Sequence, residues 1–539
     1  VTPFDRAVDD ALATWWELHP VDASFAGETA YDALLPRADA TAHLRERETL
    51  AAALAQLDAV AVPDDPYARL DARLLRATFE LAAAELERRP RYHNPAWYTG
   101  DIAFGIIAHL LPGPIPRDPA ALAARVDQSV DFLDDGGRRL AGRPLPAAWV
   151  ERATAETHAL DALLTDGLPL HPDAARLTAL PVAPLHAALA RFRAAIASAP
   201  DADPACGAEH LAQVIARVHG IDETPAALER RARAAFDATN ARLIDDAARL
   251  DPTRDWRAQL AALADIGPAT RADALASYAH WHERALRDAA TLVTPADDYT
   301  LAFEPLPAWA QRCAGALYFL FYRSPAARYP GSGSTYWVGS LEGDADALRR
   351  AHNTAAVKMI HAVHHGSIGH HTQNARARAA ASRVARIAGT DGATGIAMLG
   401  GGTMVEGWAC YVEDLLAEIP GFYTPLEELQ LTYFTLRNIA CCIADIRLHT
   451  GAWTLEDMRA FYRDEVAFAP ARIVPETTRN SMFPGSRVMY WTGTEAIERM
   501  RHASPLPAKT FHDTLLSFGS APVRWIAEEE AVWQSHARF

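Results

Sequence analysis

Apolar residues recur at intervals of three and four along most of the chain, a period that predicts amphipathic helices. From residue 1 to about 90 the periodic runs are rich in Ala and Leu and break at Pro20, Pro36 and between Pro63 and Pro66, which predicts several helices joined by short turns. Between Tyr92 and Pro116 the rhythm is lost. Trp97, Tyr98 and Asp101 precede an apolar run from Ile106 to Leu111, a mixture read as a packed loop, with a pocket wall as the alternative. Helical periodicity resumes from Asp118 and Pro119 to about Ala199, and the DADP stretch at 201–204 reads as a joint. Long helices follow from Gly207 to Ala290, one of them opening at Thr224 with Pro225 in a first-turn position.

The stretch from Leu292 to Ser340 is the least helical. Residues 299–303 and 334–338 combine β-branched and aromatic side chains between prolines and glycines, the composition of a short strand pair. Helix formers from Asp344 to Ile360 lead into a histidine cluster. Further on, residues 404–413 read as a helix closed by Pro420 and Gly421, and Met489 to Arg499 as a helix after a turn at Pro484 and Gly485. The expectation is a mostly α protein with at most a small β element. It divides into an N-terminal helical region, 1–200, and a region 201–539 that carries the chemistry, closely packed as one unit.

Charge narrows the partners. Lys and Arg number 52 against 68 Asp and Glu, a net charge of −16, which offers no electrostatic footprint for nucleic acid or for an anionic membrane. No apolar stretch is long enough to span a bilayer, and no basic start precedes an apolar run, so a soluble, cytoplasmic protein is expected. The five cysteines follow no disulfide or zinc spacing and are expected to pack as small hydrophobes.

The chemistry concentrates at residues 361–371, where five of eleven positions are histidine: 361, 364, 365, 370 and 371. His361 and His365, four apart, share a helical face, the geometry that two ligands from one helix need. His364 and His370, six apart, would diverge on a regular helix of about 100° per residue. Gly366 and Gly369 allow the helix to break, so that this second pair can converge instead. A metal site needs a third ligand, and Glu406, on the helix that follows the Gly400–Gly402 loop, is the best placed by sequence.

Three motifs now stand in order: HHGSIGHHTQ at 364–373, EGWACYVE at 406–413 and PGSRVMYWTG at 484–493. They resemble the patterns HExxPGHHxQ, EGWAxYxE and PGQAxxYxxG of the large bacterial family known as domain of unknown function 885. Weaker similarity at WELHP (16–20), YDALLP (31–36) and FHDTLLSFG (511–519) extends the resemblance over nearly the whole chain. The resemblance implies a large helical fold similar to gluzincin-like metallopeptidases, with a central cleft and one divalent metal ion on His364, His370 and Glu406, zinc first and iron as the alternative.

The chain departs from the pattern at the catalytic glutamate, replaced by His365, and at the proline, replaced by Ile368. In a zinc peptidase that glutamate moves a proton from the attacking water to the leaving amine. His365 is therefore the candidate substitute base, or a further ligand. Tyr490 and Arg487, on the third motif, are candidates for an oxyanion donor and a substrate-carboxylate clamp. Tyr336 and His371 are candidates for the substrate wall. The expected function is metal-dependent hydrolysis of an amide or peptide-like bond in a small molecule or short peptide-like substrate. The alternatives are a site repurposed for iron-dependent oxidation, a lyase or an isomerase step, and a catalytically silent metal-binding protein.

Overall fold

The computed structural model describes residues 2–529, apart from 297, 318–321, 324, 325, 327, 330, 332 and 393–396, together with 532 and 533. Many of its helices begin where the sequence provides a cap. Thr2, Asp65, Asn94, Asp118, Thr224 and Thr424 each accept a backbone N–H of the first helical turn, and in all six cases proline holds the first helical position. A capping oxygen satisfies a donor that the helix leaves orphaned, and proline there loses nothing because its missing N–H has no intrahelical partner.

Seven helices and one sheet position the site: α1 (Pro95–Leu110), α2 (Pro119–Leu140), α3 (Pro225–Leu250), α4 (Arg271–Asp288), α5 (Gly402–Leu415), α6 (Pro425–His449) and α7 (Val488–Ala503). Between α4 and α5 lies a small sheet of β1 (Thr300–Pro305), β2 (Tyr322–Arg323) and β3 (Gly333–Val338) in the order β1-β3-β2. β1 runs parallel to β3 with Phe303 opposite Tyr336, and β2 is antiparallel to β3. The expected strand pair is thus present, with a third short strand beside it. The fold is mostly α.

Two sequence expectations are corrected. The packed loop expected from Tyr92 to Pro116 is the helix α1, all sixteen residues of which are buried. A helix surrounded on every side has no polar face, so no amphipathic period marks it. The helix expected from Asp344 to Ile360 is broken. It comprises Ala345–Ala351 and Thr354–Ala356, interrupted at His352, and then opens into wider turns over Val357–His364. His352 donates to the Ser340 carbonyl at 2.9 Å, and Asn353 caps the Ala356 N–H at 2.9 Å, which satisfies a donor that the break frees.

One apolar core runs from Phe4 to Ile526 and draws on both sides of residue 200, Phe79 and Trp97 from one and Trp408, Leu415 and Phe511 from the other. A second core forms where α3 packs along α6, with Leu228, Phe236 and Leu243 against Leu436, Ile439 and Ile443. Among the described residues no helix is long and apolar enough to cross a membrane.

α5 crosses α7 at close range. Gly407 of the second motif meets Gly493 of the third, and a Cβ built on Gly407 would lie 2.6 Å from the Gly493 Cα. Only glycine at both positions lets the backbones approach so closely. Gly493→Ala, whose methyl would overlap the Thr403 carbonyl oxygen, is expected to destabilise the fold by about 1–3 kcal/mol as an overpacked contact. Gly137→Ala, inside α2 with its nearest neighbour at 3.5 Å, is expected to stabilise it by about 0.5–1 kcal/mol through helix propensity. Denaturant unfolding of the two variants checks this opposition of sign.

Candidate metal centre

The backbone of the histidine segment is interrupted where the glycines stand. The His365 N–H donates to the Ile360 carbonyl at 2.9 Å, a five-residue turn wider than an α-helix. Gly366 (ψ −149°) and Gly369 (ψ −132°) then leave helical conformation, and Ser367 between them has φ 25°. A Cβ at Gly369 would overlap the His364 carbonyl. Three neighbours hold the break. His282 of α4 accepts the Ser367 N–H at 2.9 Å, the Thr372 hydroxyl donates to the Ser367 carbonyl at 2.6 Å, and the Trp408 indole of α5 donates to the Ile368 carbonyl at 2.9 Å.

This break brings His364 and His370 to the same place, with ring centroids 4.9 Å apart and planes perpendicular. Glu406, in the first turns of α5, completes a buried trio. Its Oε2 lies 3.5 Å from His364 Nε2 and 3.7 Å from His370 Nε2. Ligands about 2.1 Å from a tetrahedral ion are separated by about 3.4 Å, so these spacings are those of donors around one divalent cation. The outer nitrogens are also engaged. His364 Nδ1 lies 2.6 Å from Glu413 Oε1 and His370 Nδ1 3.3 Å from Gln373 Oε1, the carboxylate and amide supports that fix a ligating imidazole. A second trio, His364, Cys410 and Glu413, also lies within 4.8 Å. Its 2.6 Å His364–Glu413 separation is a hydrogen bond and too short for two ligands of one ion.

Electrostatics favour a cation here. Burial disfavours the charged form of Glu406, yet His364 and His370 outweigh it and hold the carboxyl well below its usual range. Burial likewise opposes charge on His364, but Cys410, Glu406 and Glu413 together raise its pKa well above the usual imidazole value. Glu406 and His364 thus hold each other in the charged form, and a divalent ion bound there would displace the His364 proton.

His365 lies beside the trio, its ring centroid 5.0 Å from that of His364 and 5.9 Å from that of His370, outside both ligand groups. Burial, with His364 and His370 next, depresses its pKa well below the ordinary value and keeps it neutral. Its Nδ1 faces the Tyr336 hydroxyl at 3.4 Å, and that hydroxyl is 2.6 Å from His361 Nδ1. His361 and His365 therefore share a tyrosine. His371 is buried, with Nε2 on the Tyr299 carbonyl at 2.8 Å and its ring stacked on Tyr299, which makes it part of the wall behind the site. Tyr490, half-buried on α7, has its pKa raised by burial and by the nearby Glu406. Arg487 is not presented to a substrate. It is buried, pairs with Glu476, donates to Asn480 Oδ1 at 2.9 Å and lies 5.3 Å over the Tyr490 ring.

The supports Glu413, Gln373, Trp408 and His282 were not assigned from sequence. Two had a readable signal, since Glu413 follows Glu406 by seven positions and Gln373 follows His370 by three, spacings that share a helical face. Trp408 stands in the second motif, two positions after Glu406, but its bond to the Ile368 carbonyl joins separate elements, and His282 had no signal.

Elemental analysis checks the assignment. His364→Ala, His370→Ala and Glu406→Gln are each expected to lose the metal, whereas His361→Ala keeps it; full occupancy in all three ligand variants defeats the trio. Because His364 must give up a proton, zinc affinity is expected to rise with pH by about one log unit per unit while the imidazolium persists in the metal-free chain. Chelator competition at several pH values measures that slope.

Comparison with other proteins agrees with this architecture. A "putative lipoprotein of unknown function" from Shewanella oneidensis superposes with a TM-score of 0.77 at 18% identity, covering 98% of this chain and all of its own. A "putative lipoprotein" from Colwellia psychrerythraea gives 0.74 at 14% identity over the whole of both chains. At such identity the likeness is one of fold. No curated protein matches. The family described as "Bacterial protein of unknown function (DUF885)" matches residues 20–529, which include all three motifs, and the chain belongs to that family.

Proposed function

We propose that this protein is a metal-dependent hydrolase of an amide or peptide-like bond in a small substrate, with zinc on His364, His370 and Glu406. The observation that carries the reading is the pair of Nε2-to-carboxylate separations, 3.5 and 3.7 Å, with both outer nitrogens tied to Glu413 and Gln373. Two histidines from one segment and a glutamate from a distant helix form the donor set of helical gluzincin-type peptidases. A divalent ion in such a set acts as a Lewis acid and brings the pKa of the water it holds towards neutrality.

The chain's own residues supply the rest. Neutral His365, next to the trio, stands where the family glutamate acts and takes the proton of the attacking water before passing it to the leaving nitrogen. The Tyr490 hydroxyl, kept protonated, donates to the oxygen that gains negative charge. Arg487, engaged with Glu476 and Asn480, fixes the Tyr490 ring in this reading and does not clamp a substrate carboxylate. Ion pairing of this kind positions a hydroxyl without competing for the substrate. The same donor set also serves a non-haem iron site with open positions, and the metal recovered from protein purified without chelators decides between the two.

Assay of the zinc-loaded chain on free and N-acylated aminoacyl 4-nitroanilides tests the reading, and failure to hydrolyse any of them would sink it for simple amides. Where activity is found, His365→Ala is expected to retain zinc and lose a factor of about 10²–10⁴ in kcat. His365→Glu is expected to recover most of it. Loss of zinc from both variants would make His365 a ligand.

A further inference from the structure

We infer that Tyr336, backed by His361, fixes the tautomer of His365 so that a bare Nε2 faces the site. The inference rests on the reading of His365 as a base and assigns Tyr336 a positioning role that differs from lining a substrate wall. Tyr336 is buried on β3, and its hydroxyl meets two imidazole nitrogens, His361 Nδ1 at 2.6 Å and His365 Nδ1 at 3.4 Å. A phenol carries a single proton, so it cannot donate to both. Hydrogen bonds donated by O–H are shorter than those donated by neutral N–H, which assigns the 2.6 Å contact to Tyr336 O–H on His361 Nδ1. The longer contact is then His365 Nδ1–H donating to the phenolic oxygen. A neutral imidazole has one N–H, so His365 Nε2 is left as a lone pair.

The same polarity holds for both ligands. His364 Nδ1 and His370 Nδ1 face oxygens of Glu413 and Gln373 that only accept, so each ring carries a proton on Nδ1, and the proton that a metal displaces from His364 is the one on Nε2. Three neighbouring rings therefore turn Nδ1 to a support, and in His364 and His370 Nε2 meets Glu406. The support of His365 is itself fixed. Tyr336 packs at 5.9 Å from the Tyr278 ring and 5.5 Å from the Phe303 ring, and Tyr278 stacks on His361 at 5.3 Å. The Tyr278 hydroxyl does not compete for His361. His352 donates its Nε2–H to the Ser340 carbonyl at 2.9 Å, which leaves its Nδ1 to accept from Tyr278 at 3.0 Å. The opposite arrangement at Tyr336, with His361 donating, would put an N–H at the site in place of a lone pair and leave His365 unable to accept a proton there.

Neutron diffraction from the perdeuterated chain, metal-free and zinc-loaded, reads the protons directly. Deuterium is expected on His365 Nδ1 and on the Tyr336 oxygen directed at His361; deuterium on His365 Nε2 over a bare Nδ1 overturns the inference. In kinetics, Tyr336→Phe is expected to retain zinc and lower kcat by about 10–100-fold with KM little changed. His361→Asn, whose Oδ1 replaces the accepting Nδ1, is expected to keep most of kcat, and His361→Leu to behave as Tyr336→Phe. Full kcat in Tyr336→Phe removes the positioning role. Failure of the trio to bind zinc defeats the hydrolase reading, and the proton positions in the metal-free chain still decide this one.

Discussion

Everything at the candidate centre depends on the interruption of one helix between His364 and His370. On an unbroken helix these residues face roughly opposite ways, and no movement of Glu406 would bring the three together. The interruption carries strain, since Ser367 is not glycine and holds φ 25°. Such a residue costs about 1–3 kcal/mol, and it persists only where its surroundings over-determine it. Hydrogen bonds with His282, Thr372 and Trp408 do so. Trp408 belongs to the helix that carries Glu406 and Glu413, so one rigid element both grips the break and supplies the acidic half of the site.

Charge is the second constraint. Although the chain is strongly acidic, buried ion pairs stand near the site: Arg487 with Glu476, and Lys358 with Glu427 at 2.9 Å. Lys358 lies in the wide turns before His361, packed over Trp281, Phe422 and Tyr423, and ties the histidine segment to the first turn of α6. A buried pair of this kind adds little net stability compared with apolar packing, yet removing one partner is costly, and so it holds register. The cluster of His364, His370 and Glu406 differs from these pairs in that its donor atoms converge on one point, which is the physical reason to read it as a cation site.

The sequence by itself determined the elements that are local in origin. Caps followed by proline set helix starts, β-branched and aromatic runs marked the strand pair, and Gly366 with Gly369 announced the break that lets His364 and His370 meet. The order of the three motifs also carried the family, because each motif keeps its glycines and aromatics close together in the chain. Tertiary structure decided what depends on neighbours distant in sequence. α1 was hidden because burial on every side erases the periodic signal, and the expected helix at 344–360 is interrupted where the Thr354 N–H takes the Ile266 carbonyl, a partner far off in the chain. Arg487 was sequestered by Glu476, and Tyr336 met His361 and His365 only through the placement of β3. Residue type and spacing report which side chains can reach a common point along one element. Which hydrogen-bond partner each then takes is set by the packing of separate elements, and no periodicity in the chain records it.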